Sequence, residues 1–370
     1  MSARLCVDVS NTLETASLSG IQRVTLELGH ALGELVDVVP LDGRSGTLTR
    51  LQPSHRRRLE RLRNGSARRG LAHRIESRIV RSAPPIQPRF RPNATSVLID
   101  IEASWNAPIQ RADLLARWGS PTAALIHDVL PLTNPEWFNT ESVDRFRSWF
   151  EAHVIADSAL LAVSSASADA VASLGAERPA VIRLGQTGTT PLSEGSGILM
   201  VGTIEPRKGH SIVLDALDLL GDDAPVVDVV GRPGWNTGEL IGRLERHPRV
   251  RWHRGVSDAD LESLWQLSGL LLQPSLGEGF GLPVIEALQR RVAVMSSDLP
   301  VMREVGRNET VLLGPDANEW AEALASFAGD PAAWPRPQRL DWPTWGDSAM
   351  DTLRALTAAG VWPDAGSLSQ

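Results

Sequence analysis

The chain has 370 residues, 42% of them apolar, a formal net charge of −7 and a single cysteine, Cys6. That length exceeds what one hydrophobic core usually serves, so two globular domains are predicted. One thiol excludes a disulfide framework; the N-terminus lacks the apolar centre of a signal peptide and no apolar run approaches a membrane span, which makes the cytoplasm the expected compartment.

Residues 4–9 read as an apolar strand ending in Asp8-Val9-Ser10. A loop of small polar residues follows, as far as Ser19-Gly20-Ile21. The helix predicted over about 22–35 carries Val24, Leu26, Leu28 and Leu32 near helical spacing. Residues 50–91 then hold thirteen arginines against two glutamates, a net charge of +11. They read as helical over 50–81 with a break at Asn64-Gly65, and Leu71, Ile75 and Ile79 share a face opposite several arginines. Such a helix suits an anionic membrane surface, and a solvated helical face fits it equally. No aromatic side chain interleaves the arginines of 50–81 for base stacking, which argues against nucleic acid as a partner.

Strands are predicted at 97–101 and 123–126, the second running into His127-Asp128-Val129-Leu130-Pro131. Ligands gather at the carboxyl ends of parallel strands, which favours His127 as a site residue. The competing reading is a histidine that caps a strand end. A long helix over 141–155, a strand at 160–163, a helix to about 172 and a strand at Val181 follow. Residues 187–197, rich in Gly, Ser, Thr and Pro, are the best interdomain linker in the chain.

The second half opens with a strand at 198–201, the loop Gly202-Thr203-Ile204-Glu205-Pro206-Arg207-Lys208-Gly209 and a helix to Leu220. Lys208 is the only lysine among 37 basic residues. A position that keeps lysine in so arginine-rich a chain calls for a compact, rotatable ammonium in place of a planar fork. Strands at 226–230, 250–253 and 270–272 continue the alternation of strand and helix, which predicts a doubly wound parallel sheet. Ser257 and Asp260 read as a helix cap, and the eight histidines lack metal-ligand spacing, so no metal is expected. The stretch Trp342-Pro343-Thr344-Trp345-Gly346-Asp347-Ser348-Ala349 opens a last helix, to about Ala359.

The most informative stretch is Gln273-Pro274-Ser275-Leu276-Gly277-Glu278-Gly279-Phe280-Gly281-Leu282-Pro283-Val284-Ile285-Glu286. An apolar strand leads in, glycines interrupt regular structure, and Pro283 suits a helix start. Free amides at such a start form an anion site favoured by the helix dipole. Carboxylates at Glu278 and Glu286 would repel a phosphate there, so they are suited to accept hydrogen bonds from hydroxyls. A phosphate flanked by hydroxyl groups describes a nucleotide sugar.

Two glutamates separated by seven residues, with Gly-Phe-Gly-Leu-Pro between them, resemble the signature of the retaining glycosyltransferases of family 4. The Gly20 loop, the 127–138 segment and the Arg207-Lys208 loop match further elements of that family in the same order. The resemblance implies the GT-B fold, with two Rossmann-like, doubly wound α/β domains facing a cleft. Residues 1–186 would form the acceptor-side domain, 187–197 the linker and 198–343 the nucleotide-sugar-binding domain, with 344–370 as a helix and tail crossing back onto the first. It assigns Glu278 to the transferred sugar, Glu286 to the ribose, and the backbone at Gly279, Phe280, Gly281 and Leu282 to the diphosphate and sugar. Arg207 and Lys208 would bind the donor phosphates, Gly20 would face a phosphate, and His127 would lie near the transferred sugar. Thr203 belongs to the donor loop, at a position where many members carry arginine. Arg290-Arg291 stand where small residues are common.

The activity implied is transfer of a hexosyl group from a nucleoside-diphosphate sugar to a hydroxyl of a glycan, glycolipid or other acceptor, with retention. Neither metal nor cofactor is implied beyond that co-substrate. Bacterial glycan assembly with GDP-mannose is the favoured setting, on the inner face of the membrane if the Arg-rich segment binds there. A nucleotide-sugar epimerase and a non-catalytic partner subunit are the alternatives. A Rossmann dehydrogenase fails on spacing, because position 282 is leucine where Gly-x-Gly-x-x-Gly needs its third glycine.

Overall fold

The computed structural model describes residues 3–15, 18–64, 89–107, 110–186, 192–235, 237–334, 336–337 and 341–363. The chain divides into two compact units. One comprises Met1–Leu132, Thr140–Gly185 and Pro343–Gln370; the other comprises Thr133–Asn139 and Gln186–Trp342.

Among the described residues the first unit is built on seven strands: β1 (Arg4–Asp8), β2 (Asp37–Asp42), β3 (Thr49–Arg50), β4 (Ser96–Asp100), β5 (Thr122–Ile126), β6 (Ala159–Ala162) and β7 (Ala180–Val181). Their order in the sheet is β3-β2-β1-β4-β5-β6-β7, parallel throughout except for the antiparallel β2–β3 pair. Strands covered on both faces read as unbroken apolar runs, and every residue of β4 and β5 is buried. Helices Gly20–Leu35 and Trp345–Ala358 pack against each other in this unit. Ser348 Oγ donates to the carbonyl of Arg183 at 2.7 Å.

Two local readings change. The polar stretch after β1 contains a short helix, Ser10–Glu14. Its free amides are satisfied from far away, since the carboxylate of Glu102 accepts from Asn11 N at 2.8 Å and from Thr12 N at 2.9 Å. In the basic segment, a helix spans Pro53–Arg63 and buries His55, Arg58 and Leu62. Arg58 Nη2 donates to the carbonyl of Thr15 at 2.7 Å, so this arginine is structural. The amphipathic face expected at Leu71, Ile75 and Ile79, within 65–88, lies outside the described residues.

The carboxyl ends of β1 and β4 surround a buried polar cluster that sequence reading did not find. Asp8, Asp100, Glu102 and His153 are fully buried, and Arg111 is nearly so. Arg111 Nη2 lies 2.9 Å from Asp8 and 3.4 Å from Asp100, while Trp149 Nε1 donates to Asp100 at 2.9 Å. Burial raises the carboxyls of Asp8 and Glu102. At Asp100 burial is outweighed, above all by Arg111 and His153, and that carboxyl is held far below its usual range.

The second unit carries β8 (Gly197–Val201), β9 (Val227–Val230), β10 (Val250–His253), β11 (Ser268–Gln273), β12 (Ala293–Ser297) and β13 (Thr310–Leu313). All its pairs are parallel, in the order β10-β9-β8-β11-β12-β13. This is the doubly wound order, and the strand order reverses between β8 and β11. The core around this sheet includes Ile198, Met200, Leu217, Leu270, Leu272 and Trp320. Thr133–Asn139 is held in this unit by Trp235, whose Nε1 donates to the carbonyl of Trp137 at 2.7 Å. Of the expected linker, 187–191 lies outside the described residues. The part that follows is fastened down, with Arg336 Nη2 donating to the carbonyl of Gly195 at 2.6 Å and Ser193 N to that of Arg290 at 2.9 Å.

Candidate functional site

The reversal point between β8 and β11 is where a doubly wound sheet leaves a ligand crevice. Each strand sends out one of the two loops singled out above. After β8, Pro206–Lys208 forms a short 3-10 turn, and Gly209 takes a left-handed conformation (φ +66°) before the helix His210–Leu220. After β11, the glycine turn ends at Gly281 (φ +94°), which caps the helix Leu282–Gln289. Glycine is required at 209 twice over: for its backbone angle, and because a Cβ there would stand 1.8 Å from the carbonyl oxygen of Pro274. That close approach lets the loops join, with Leu276 N donating to the carbonyl of Arg207 at 2.7 Å.

The joined loops bring Arg207, Lys208 and Glu278 together. Lys208 Nζ is bonded to Oε1 of Glu278. Arg207 Nη1 stands 3.7 Å from Oε2 of Glu278, and Arg207 Nε stands 2.9 Å from the buried carboxylate of Glu205. Burial would raise the Glu278 carboxyl, but Lys208 and then Arg207 outweigh it and hold it below the usual carboxylate range. Burial prevails at Glu205, whose carboxyl is raised despite Arg207. His210, next in the chain, is buried and kept neutral, its pKa pushed down to about 3 by burial and then by Lys208.

The other expected residues fall as follows. Phe280 is buried and meets Trp342 edge-on at 6.0 Å, so the aromatic side chain packs while its backbone lines the turn. Gly279, Gly281 and Leu282 form that turn and the helix start, and Glu286 lies one turn inside the helix. Thr203 flanks the loop after β8, with its Cγ2 close to Gly234. Arg290 bonds to the carbonyl of Glu286 at 2.9 Å and to Glu262, and Arg291 to the carbonyl of Pro337 at 3.2 Å. Their guanidiniums are thereby engaged in holding the back of this helix. Gly20 and His127 belong to the first unit. Gly20 begins the helix after β1 behind Ser19, whose N donates to Gln22 Oε1 at 2.8 Å. His127 is buried at the end of β5, with Nε2 3.1 Å from the carbonyl of Ile101, and its pKa is lowered by burial.

Sequence reading missed Gln273 and Ser275. Gln273 Nε2 donates to Ser275 Oγ and to Glu278 Oε1, each at 2.9 Å, and Ser275 Oγ donates to the same Oε1 at 2.9 Å. A signal was available. Alternate residues of an extended chain point the same way, and Gln273 and Ser275 stand at alternate positions just past the apolar run Leu270-Leu271-Leu272.

This geometry suits an anion met by two cations and a helix start, beside a carboxylate able to accept from a hydroxyl. Residues 192–341 match the family described as Glycosyl transferases group 1, so the chain carries a glycosyltransferase group 1 domain. The serotype-specific mannosyltransferase WbdA of Escherichia coli is 30% identical over 286 residues, covering 67% of this chain and 35% of that protein. The O-antigen chain mannosyltransferase RfbU of Salmonella typhimurium is 30% identical over 138 residues, 36% of this chain and 39% of that protein. The chain therefore spans little more than a third of the length of these curated relatives. In structure it is similar to Anabaena HepE in complex with UDP-glucose, with a TM-score of 0.63 at 15% identity over 100% of this chain and 98% of that one. At that identity the likeness speaks for the fold, which is that of the GT-B glycosyltransferases.

Proposed function

We propose that the chain is a retaining glycosyltransferase. It moves a hexosyl group, with mannose favoured, from a nucleoside-diphosphate sugar to a hydroxyl of a glycan, a glycolipid or another acceptor. The observation that carries this reading is the convergence of Arg207 and Lys208 with Glu278 at the ends of β8 and β11, beside the glycine-turned helix start. The mannosyltransferase names of the sequence relatives support the sugar, with GDP-mannose as the first donor to try. The UDP-glucose bound by HepE supports a nucleotide sugar as the donor class.

In this mechanism the diphosphate displaces Glu278 from Lys208 and takes the two cations for itself. The bond between the anomeric carbon and the leaving phosphate oxygen breaks. A bond from the acceptor oxygen forms on the same face, and the acceptor proton passes to the departing phosphate. Arg207, Lys208 and the backbone amides at 279–282 stabilise the charge that develops there, at roughly 3–4 kcal/mol for each well-placed donor. Glu278, ionised across the neutral range, accepts from a hydroxyl of the transferred sugar and orients it. The two cations neutralise the diphosphate, so the reaction requires no metal. Arginines of the 50–91 segment would hold the enzyme at the inner face of an anionic membrane, where a lipid-linked acceptor is presented.

The test is release of nucleotide and sugar from GDP-, UDP- and dTDP-sugars, with and without EDTA and with and without glycan acceptors. Release from one donor that survives EDTA and disappears in Glu278→Ala supports the reading. Neither binding nor release across the panel would sink it, and saturable binding without turnover would favour a non-catalytic subunit.

A further inference from the structure

The cation that binds Glu278 in the free protein is also the cation a diphosphate would claim. Lys208 Nζ has one compact charge to offer. Once it turns to a phosphate, something else must keep the Glu278 carboxylate in place. Gln273 and Ser275 occupy that role. Both are buried, Gln273 at 3% exposure and Ser275 at 0%. They act on the same oxygen as Lys208: Gln273 Nε2 and Ser275 Oγ each lie 2.9 Å from Oε1, and they are bonded to each other at 2.9 Å.

We infer that Gln273 and Ser275 are a positioning pair for glycosyl transfer, which locks Oε1 of Glu278 and turns Oε2 toward the donor sugar. The inference rests on the transferase reading above. Its geometry is local and rigid. Gln273 is the last residue of β11, hydrogen-bonded into a central strand of the sheet. Pro274 fixes the backbone between the pair, and its carbonyl presses against Gly209. The two donors therefore move with the sheet and stay when the Lys208 contact is given up. Neither residue reaches the diphosphate in this scheme. Their loss should impair orientation of the sugar more than capture of the donor.

The experiment compares wild type, Gln273→Leu and Ser275→Ala as full chains, following release of nucleotide from the donor the wild type uses, over pH 4 to 8. Removing one hydrogen bond to a charged carboxylate should lower kcat roughly 10-fold or more while the donor KM stays within about two-fold. The acid limb of kcat should also move to higher pH, because each donor lost makes the Glu278 carboxylate easier to protonate. A residue that merely supports the fold would lower the melting temperature and leave the acid limb where it was. Unchanged kcat and acid limb in the variants, with wild type active, would overturn the inference and leave the transferase reading intact. If wild type neither binds nor cleaves any donor, that reading falls and the inference falls with it. Should Gln273→Leu fail to fold, Ser275→Ala decides by the same two readouts.

Discussion

Gly209→Ala tests whether the loops after β8 and β11 are held together as described. The new Cβ would lie 1.8 Å from the carbonyl oxygen of Pro274 and 2.7 Å from its carbon, where real contacts do not fall under 3.0 Å. Relief requires the loops to part by about 1 Å, which also breaks the 2.7 Å hydrogen bond from Leu276 N to the carbonyl of Arg207. The left-handed backbone costs an alanine about 1–2 kcal/mol, and the lost hydrogen bond about 1 kcal/mol more. Together these lower stability by about 2–3 kcal/mol, or the melting temperature by roughly 4–12 °C in a unit of this size. A displacement of about 1 Å between Lys208 and Glu278 should cost on the order of 100-fold in turnover. Gly119→Ala is the control. It has nearly the same backbone angles, φ +70° and ψ 16°, with nothing within 4 Å of the added Cβ. Scanning calorimetry and donor turnover are measured on both. Equal melting temperatures and equal turnover in the two variants would refute the account of the joined loops.

Lys208→Arg should behave like Lys208→Ala, losing about 100-fold or more in donor turnover, since a planar fork does not reproduce the compact charge that turns from Glu278 to the donor phosphate; an active arginine variant would count against the assignment. His210 predicts a pH dependence of stability. It stays neutral in the fold down to about pH 3, while the unfolded chain takes up a proton at the ordinary histidine value, so stability is lost as pH falls from about 6.5 toward 3. Chemical denaturation should show His210→Gln losing about 2 kcal/mol less than wild type between pH 7 and pH 5, and equal slopes would argue against a buried neutral ring. Arg111→Leu strips Asp8 and Asp100 of their cation and should destabilise the first unit by about 3–5 kcal/mol at pH 7. Those carboxyls then titrate upward, so the deficit should shrink as pH falls toward 4; a constant deficit would mean that Arg111 acts by packing alone.

The strands were legible because central parallel strands are buried on both faces and so form apolar runs ended by polar loops, as at Leu270-Leu271-Leu272 and Ala123–Ile126. Arg207, Lys208 and Glu278 were legible as types in loops. What brings them together was not, because it depends on Gly209 meeting Pro274, 65 positions away. The same distance effect hid the Ser10–Glu14 helix, whose amides depend on Glu102, about 90 residues further on. The ring of Trp105 meets Phe146 and Trp149 edge-on at 5.0 and 5.2 Å, a core-packing geometry set by residues more than 40 positions away. Arg290 and Arg291 stand where small residues are common, and their guanidiniums are taken up by Glu262 and the carbonyls of Glu286 and Pro337. Charge read along a chain does not say which way a guanidinium turns.

The helix Trp345–Ala358 belongs to the unit that contains the start of the chain, and its Ser348 is bonded to Arg183. The first unit is therefore discontinuous, while nearly all of the second is one uninterrupted run, Gln186–Trp342. On the ribosome, the second unit has its full sheet and core before the closing helix has been made. The first unit must wait, with the face of the Gly20–Leu35 helix that the closing helix covers still open. Order of completion thus runs opposite to order of synthesis, and the half that carries Lys208 and Glu278 is the half that can mature first.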